Sequence, residues 1–288
     1  MWFALALTSG LFQVLRNMVM KRIGHSLDET INVWGRFALV LPFAAVTTAW
    51  NGIPQVTAEF WWLCLIFAFA QSVATLCLSR ALKLSDISLV TPLWKISLVM
   101  LVGWGYLTLG ESPSLLGVVG IAVSLAGVYL LNARRGRKSL WAPFTTAVMD
   151  PGQRYTLISA ALYAPCVVLI KQIVLLSDAN FGVLISYLFT TAVVTPYTLY
   201  RSARHFRRIP QYWKEFLAMG AFASLTILTA VQAYTLTLSS YVEAVKQVEI
   251  LFALAIGYVV FHEKERVRAI WPGCLAVLAG AVMIRLWG

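Results

Sequence analysis

The sequence predicts an all-α integral membrane fold of ten transmembrane helices arranged as two inverted five-helix repeats. Three observations predict it: an apolar excess too large for a water-soluble fold, ten apolar runs of spanning length, and ordered marks of an internal duplication. The first is compositional. Of 288 residues, 60% are hydrophobic and 12% charged, and the mean hydropathy is +0.77. Soluble domains average roughly 45–50% apolar and about 25% charged. A water-soluble fold of this size could not cover so much apolar surface, and lipid is its natural solvent.

The second observation is length. A spanning helix needs about 20 mostly apolar residues. Runs of that kind occupy 2–20, 31–50, 59–82, 86–108, 114–132, 155–176, 180–200, 214–236, 240–261 and 268–287, here called spans one to ten. Span one begins Met1-Trp2-Phe3 with no basic region before it and lacks a small-residue cleavage site. It therefore reads as a helix and not as a cleaved signal.

The third observation is repetition. The connector 133–154 is long and divides the chain into a first repeat, 1–132, and a second, 155–288. A shift of 153 brings Gly120 onto Gly273 and Leu125-Ala126-Gly127 onto Leu278-Ala279-Gly280. A shift of 154 brings Pro42 onto Pro196, and one of 155 brings Arg16 onto Lys171. Offsets that drift in order are what loop insertions produce. Five spans per repeat force the second repeat to enter from the opposite side, giving inverted topology. The glycines Gly103, Gly105, Gly117, Gly120 and Gly127, with Gly273 and Gly280, allow close helix contact. They are expected to join span four to five and span nine to ten within each half.

Charge sets the orientation. Of the 23 Lys and Arg, eighteen fall at connectors 1–2, 3–4, 5–6, 7–8 and 9–10 with their adjoining helix ends, one (Arg285) lies on the opposite side, and Arg16, Lys95, Lys171 and Lys246 lie deeper within spans. Cytoplasmic connectors carry the basic excess, so the linker 133–154 is expected in the cytoplasm and both termini outside it. Confined in this way, the net charge of +11 is a topology signal, and no nucleic acid partner is expected. The cysteines Cys64, Cys77, Cys166 and Cys274 lie inside apolar runs without a CxxC pair, and read as packing residues. No metal spacing, no nucleophile with a matching base and no GxxxxGK[ST] phosphate loop occurs, so neither an enzyme nor a cofactor is expected.

Ionisable groups inside a span cost roughly 2.5–3.5 kcal/mol each on insertion scales, and each needs a reason. Glu243, Lys246 and Glu249 in span nine recur every three residues, which places them within about 120° of one side of a helix. The repeat alignment sets Lys95 of span four opposite Gln247. These groups suggest a central cavity in which Lys95 and Lys246 receive an anionic part of a solute, while Glu243 or Glu249 binds an amine or carries a coupling proton. Mutual neutralisation of Lys246 by its two glutamates is the structural alternative. Arg16 and Lys171 occupy matching places late in spans one and six and are further candidates. Of the nearby aromatics Trp94, Trp104, Tyr163, Tyr187, Tyr234 and Tyr241, Trp94 and Tyr163 are the candidates for stacking on the solute. The expected binding set is Lys95, Glu243, Lys246, Glu249, Trp94, Gln247, Tyr163, Lys171 and Arg16, with no catalytic or metal residue.

Ala81-Leu82-Lys83-Leu84-Ser85 at the junction of spans three and four, Pro92, Leu109-Gly110-Glu111 closing span four, the paired glycines and Arg36 resemble the drug/metabolite transporter superfamily, in particular its EamA-type ten-helix members. In the second half His262-Glu263 stands where the first has Gly110-Glu111. The resemblance implies a secondary transporter that moves a small polar metabolite, amino-acid-like or an organic anion, by alternating access without ATP. It implies a location in the bacterial inner membrane as a monomer or homodimer, with membrane lipid as the other partner. The alternative is a flippase for a lipid-linked phosphate or sugar headgroup, which the four basic against two acidic embedded groups would suit. The orientation is open to test. With the four native cysteines removed, Arg137→Cys should react with an impermeant thiol reagent only from the cytoplasmic side and Asn51→Cys only from outside. Labelling of position 137 in intact cells would reverse the assignment.

Overall fold

The computed structural model describes residues 1–24, 27–85, 90, 93–133, 150–261 and 264–288. Pro92, His262, Glu263 and most of the linker 133–154 lie outside the described residues. Among the described residues twelve α-helices run in order: α1 Trp2–Gly24, α2 Glu29–Ala38, α3 Leu41–Asn51, α4 Ala58–Leu84, α5 Ile96–Leu109, α6 Leu115–Ala133, α7 Pro151–Leu175, α8 Ala179–Phe206, α9 Trp213–Leu236, α10 Ser239–Lys246, α11 Glu249–Phe261 and α12 Lys264–Trp287. No strand occurs among the described residues. Among the described residues six helical stretches are long and apolar enough to cross a membrane: Trp2–Met20, Glu29–Asn51, Ala58–Leu84, Pro151–Leu175, Ala179–Phe206 and Ile209–Leu236. Three more, Ile96–Leu109, Leu115–Leu130 and Pro272–Trp287, are apolar but shorter.

Helix α4 shows how these helices meet their surroundings. It buries Gln71, Ser72 and Thr75 together with Phe60, Cys64 and Phe67, and exposes Trp62, Ile66, Phe69 and Val73. Spacings of four and three put the exposed residues on one stripe. Polar groups inside and large apolar groups outside invert the soluble pattern, as a helix facing hydrocarbon requires. The chain is an integral membrane protein.

Among the described residues three of the predicted spans are interrupted, two of them for a local reason that the structure shows. Span two divides into α2 and α3 around Leu39 and Val40. Pro42 sits in the first turn of α3 and has no N–H to give the Ala38 carbonyl. Span nine divides into α10 and α11. There the Gln247 and Val248 amides bond three residues back, to Ala244 (3.1 Å) and Val245 (3.0 Å). The Gln247 side-chain amide takes the Glu243 carbonyl (3.0 Å) that its own backbone has left, so a side chain has entered the hydrogen-bond ladder. In span four a turn at Lys95 precedes α5.

Helix ends are fixed by their caps. The Asp150 carboxylate accepts the Gly152 amide (2.8 Å) at the start of α7, and Asp178 accepts Asn180 (2.7 Å) and Phe181 (3.1 Å) at the start of α8, as N-cap residues do. At the end of α5, Gly110 has φ +65°, and its amide returns to Tyr106 (3.2 Å) while that of Glu111 returns to Gly105 (3.0 Å). This left-handed close, which glycine adopts without steric cost, turns Glu111 back into the protein, where it is buried.

The most extensive packing joins α6 to α12, α4 to α7 and α1 to α9. All three contacts cross from one half of the chain to the other. This corrects the expectation that glycine seams close spans four–five and nine–ten within each half. A Cβ on Gly127 would lie 2.6 Å from the Val277 amide nitrogen and 2.8 Å from the Gly273 carbonyl, and one on Gly280 would lie 2.6 Å from the Gly120 carbonyl. The repeated glycines therefore face each other across the α6–α12 seam. Their spacing announces a tight seam but is silent on which helix fills it. Gly127→Ala should cost about 1–3 kcal/mol, the range for overpacking, while Gly103→Ala, whose Cβ would meet nothing within 4 Å, should be near neutral. Thermal unfolding of the purified variants compares the two, and equal melting temperatures would deny the seam.

Candidate functional site: a charged cavity at the helix breaks

A cavity of about 50 Å³ lies inside the bundle, walled by Gln13 and Arg16 of α1, Arg36 of α2, Phe67 and Gln71 of α4, Tyr163, Cys166, Val167 and Ile170 of α7, Tyr187 of α8, Thr226, Ile227, Ala230 and Tyr234 of α9, and Lys246 of α10. One water needs roughly 10–15 Å³ on such a measure, so the space takes a few waters or part of a small solute.

Both acidic groups expected in span nine are present and paired. Lys246 Nζ lies 2.6 Å from Glu243 Oε1, and the Tyr234 hydroxyl donates to the same oxygen. Lys95 Nζ lies 3.6 Å from Glu249 Oε1, whose other oxygen accepts from the Gln13 amide. The break at Gln247 separates the two glutamates, so Glu243 and Lys246 close α10 while Glu249 opens α11. Neither glutamate is a wall residue; each stands behind a residue that is, Lys246 or Gln13. Gln247 is spent on its own helix through the Glu243 carbonyl, and its side-chain oxygen has no partner among the described residues.

Lys95 sits 5.2 Å from the centre of the Trp94 ring. That ring packs on Tyr163 at 4.8 Å, and its indole N–H donates to Ser159 Oγ (3.2 Å). Trp94 therefore braces Lys95 and Tyr163 from behind, and of the two aromatics of this stack Tyr163 reaches the wall. Tyr241 is buried elsewhere, its hydroxyl accepting the Ser114 amide (2.8 Å), and Trp104 is exposed.

Arg16 and Lys171, matched in the repeat alignment, have different surroundings. Arg16 is a wall residue, 7% exposed. Lys171 is not. Its ammonium lies 2.6 Å from Glu111 Oε1 and 2.7 Å from the Thr237 carbonyl. Glu111 also accepts from the Ser239 amide (3.0 and 3.1 Å) and hydroxyl (3.0 Å). This buried clasp ties the end of α5 to α7 and to the α9–α10 junction. A second clasp gathers other helix ends. Asp28, before α2, accepts from Thr30 Oγ1 (2.8 Å) and from Ser202 near the end of α8, and Lys83 at the end of α4 reaches Glu29 (3.0 Å). Burial pushes the Asp28 carboxyl up, but the hydroxyls of Ser202 and Thr30, the Glu29 amide and Lys83 outweigh it and hold the group below the usual aspartate value.

Reading charges alone missed several wall residues. Gln13 and Gln71 are uncharged amides in apolar runs, and their midspan position was the available signal. Arg36 was marked by the family pattern only, and Tyr187 and Tyr234 as neighbours of charge only. Among the described residues no group of three His, Cys, Asp or Glu could hold a metal ion.

Residues 1–133 match the model of the EamA-like transporter family. An uncharacterized transporter in the cobO 3′ region of a Sinorhizobium species is 30% identical over 134 residues, covering 45% of this chain and 95% of that protein. A solved structure described as "Crystal structure of protein" has a TM-score of 0.77 to this chain, covering 99% of it and 96% of its own chain at 13% identity, which speaks to the fold alone. With a relative matched over nearly its whole length, apolar helices and polar groups turned inward around a cavity, the chain belongs to the EamA-like transporter family.

Proposed function

We propose that this membrane transporter is a secondary carrier that moves a small polar metabolite, amino-acid-like or an organic anion, by alternating access. The solute would bind in the cavity walled by Arg16, Arg36, Tyr163 and Lys246 and backed by Lys95, Glu243, Glu249 and Trp94. The observation that carries this reading is the coincidence of buried charge with helix breaks. Lys95 stands at the turn before α5 and Lys246 and Glu249 flank the break in span nine. Discontinuous helices meeting at the midplane form the solute sites of inverted-repeat carriers.

The cross-half packing supports ten crossings in two inverted repeats, 1–132 and 155–288 with the linker between them. Under a two-fold relation α1 exchanges with α7 and α4 with α9. The α1–α9 contact then becomes the α7–α4 contact, and both are among the most extensive. The α6–α12 seam maps onto itself. The Sinorhizobium relative, 95% covered by 134 residues, is about the length of one half, as a duplicated unit would be. Alternating access needs a closure on each side of the site. The Glu111–Lys171–Ser239 clasp and the Asp28–Thr30–Ser202 clasp, each gathering a different set of helix ends, are suited to that role. A bacterial inner membrane location, outward termini and a proton carried by Glu243 or Glu249 complete the proposal.

Lys95→Met and Glu249→Gln should each lower transport per folded molecule at least tenfold in reconstituted vesicles. Losing one member of a buried pair is also destabilising, by about 3–5 kcal/mol, so rates are compared only for monodisperse protein. Near-normal transport per folded molecule, with lowered melting temperature alone, would make the pair structural and reject its place in the site.

A further inference from the structure

The charges around the cavity do not cancel. Each glutamate near it is matched by one lysine: Glu243 by Lys246 at 2.6 Å and Glu249 by Lys95 at 3.6 Å. Glu111 is taken by Lys171. Two arginines remain, both on the cavity wall, and neither forms an ion pair among the described residues. Arg16 is 7% exposed, and its Nε and Nη2 both donate to one neutral oxygen, Asn17 Oδ1, at 3.3 and 3.0 Å. Arg36 makes no hydrogen bond to a described residue; its guanidinium rests 5.8 Å from the centre of the Phe37 ring. A guanidinium carries five N–H donors in a planar fork that fits carboxylate or phosphate oxygens. Of ten such donors, the two N–H groups turned to Asn17 are the ones engaged by described residues.

We infer that the solute is a compact dianion whose carboxylate or phosphate oxygens are held by Arg16 and Arg36. The inference rests on the carrier reading above and narrows its solute class. Isolated charges in a membrane-embedded site are costly. A dianion cancels both arginines. A monoanion leaves one uncompensated, a zwitterion leaves both, and a cation adds a third. The Tyr163 and Tyr187 hydroxyls, on the same wall and without hydrogen-bond partners among the described residues, supply further donors. The cavity volume favours a short molecule over a long one.

The test is calorimetric titration of the purified full chain in nanodiscs at constant ionic strength. The probes are succinate, hydrogen phosphate and glycerol phosphate as soluble dianions, acetate and glycine as controls, and phosphatidic acid in the disc as a lipid-borne phosphate. At least one soluble dianion should bind at least tenfold more tightly than acetate or glycine. Arg16→Gln and Arg36→Gln should each weaken it at least tenfold and erase the preference over acetate, while Arg36→Lys keeps part of that preference. Glycine binding more tightly than every dianion, a dianion affinity unchanged in both glutamine variants, or no binding by any soluble dianion overturns the inference. Competition by phosphatidic acid through the same arginines would assign the oxyanion to a lipid and overturn the soluble-solute form. Flux in proteoliposomes separates the two readings. Transport of glycine without dianion binding leaves the carrier and removes the dianion. Dianion binding through the arginines with no flux of any probe leaves the site and removes the carrier.

Discussion

A charged side chain in the middle of an apolar helix has to find an opposite charge, a polar neighbour or water, because hydrocarbon offers none of these. That requirement orders the centre of this protein. Glu243 is met by Lys246 and Tyr234, Glu249 by Lys95 and Gln13, and Glu111 by Lys171 and the Ser239 backbone. The pairings of Glu249 and Glu111 join elements distant in sequence, whereas those of Glu243 are local, Lys246 closing one turn and Tyr234 reaching across the α9–α10 junction. The contacts bring α1, α5, α7, α9, α10 and α11 together around one space, and the arginines of that space are what the acidic groups leave over.

The breaks serve the same end. An uninterrupted helix through residues 240–261 would keep its backbone carbonyls bonded within itself. The Gln247 side chain instead takes the Glu243 carbonyl, and the chain tightens to three-residue bonds before α11 begins. Pro42 has a comparable effect in span two by withholding an amide. Rigid closure comes from elsewhere. Where Gly127 meets Val277 and Gly280 meets Gly120, backbones approach too closely for any side chain, so the α6–α12 seam is a direct backbone-to-backbone contact. Under the proposed alternating access the tight seam would be the fixed part of the bundle and the interrupted helices the part that rearranges.

Much of this was legible in the sequence, and the residues explain how far. Apolar runs located the helices because lipid imposes a length and a polarity on them, and the inward Gln71, Ser72 and Thr75 of α4 follow from the same rule. Lys95, Lys246, Glu243 and Glu249 stood out as candidates because their cost in a span is conspicuous, and in the structure the glutamates stand one residue behind the cavity wall. The glycine repeat was read correctly as a close seam and assigned to the wrong neighbour, since helix spacing in sequence carries no information on which helices touch. Arg16 and Lys171 looked equivalent by alignment. They differ because Gly110 turns Glu111 inward next to Lys171, a consequence of one positive φ that no hydropathy pattern registers. Gln13 and Arg36 were passed over as site residues for opposite reasons, the amide being uncharged and the arginine lying close to a span end.

The central claim is that the space between the two halves opens in turn to each side of the membrane. Ala230, on the cavity wall and 1% exposed, is the place to measure it. With the four native cysteines removed and Ala230→Cys introduced, a small impermeant thiosulfonate should modify position 230 from either face, in right-side-out and in inside-out vesicles alike. Saturating solute should slow both reactions. Modification from one face only, or from neither, would contradict the account.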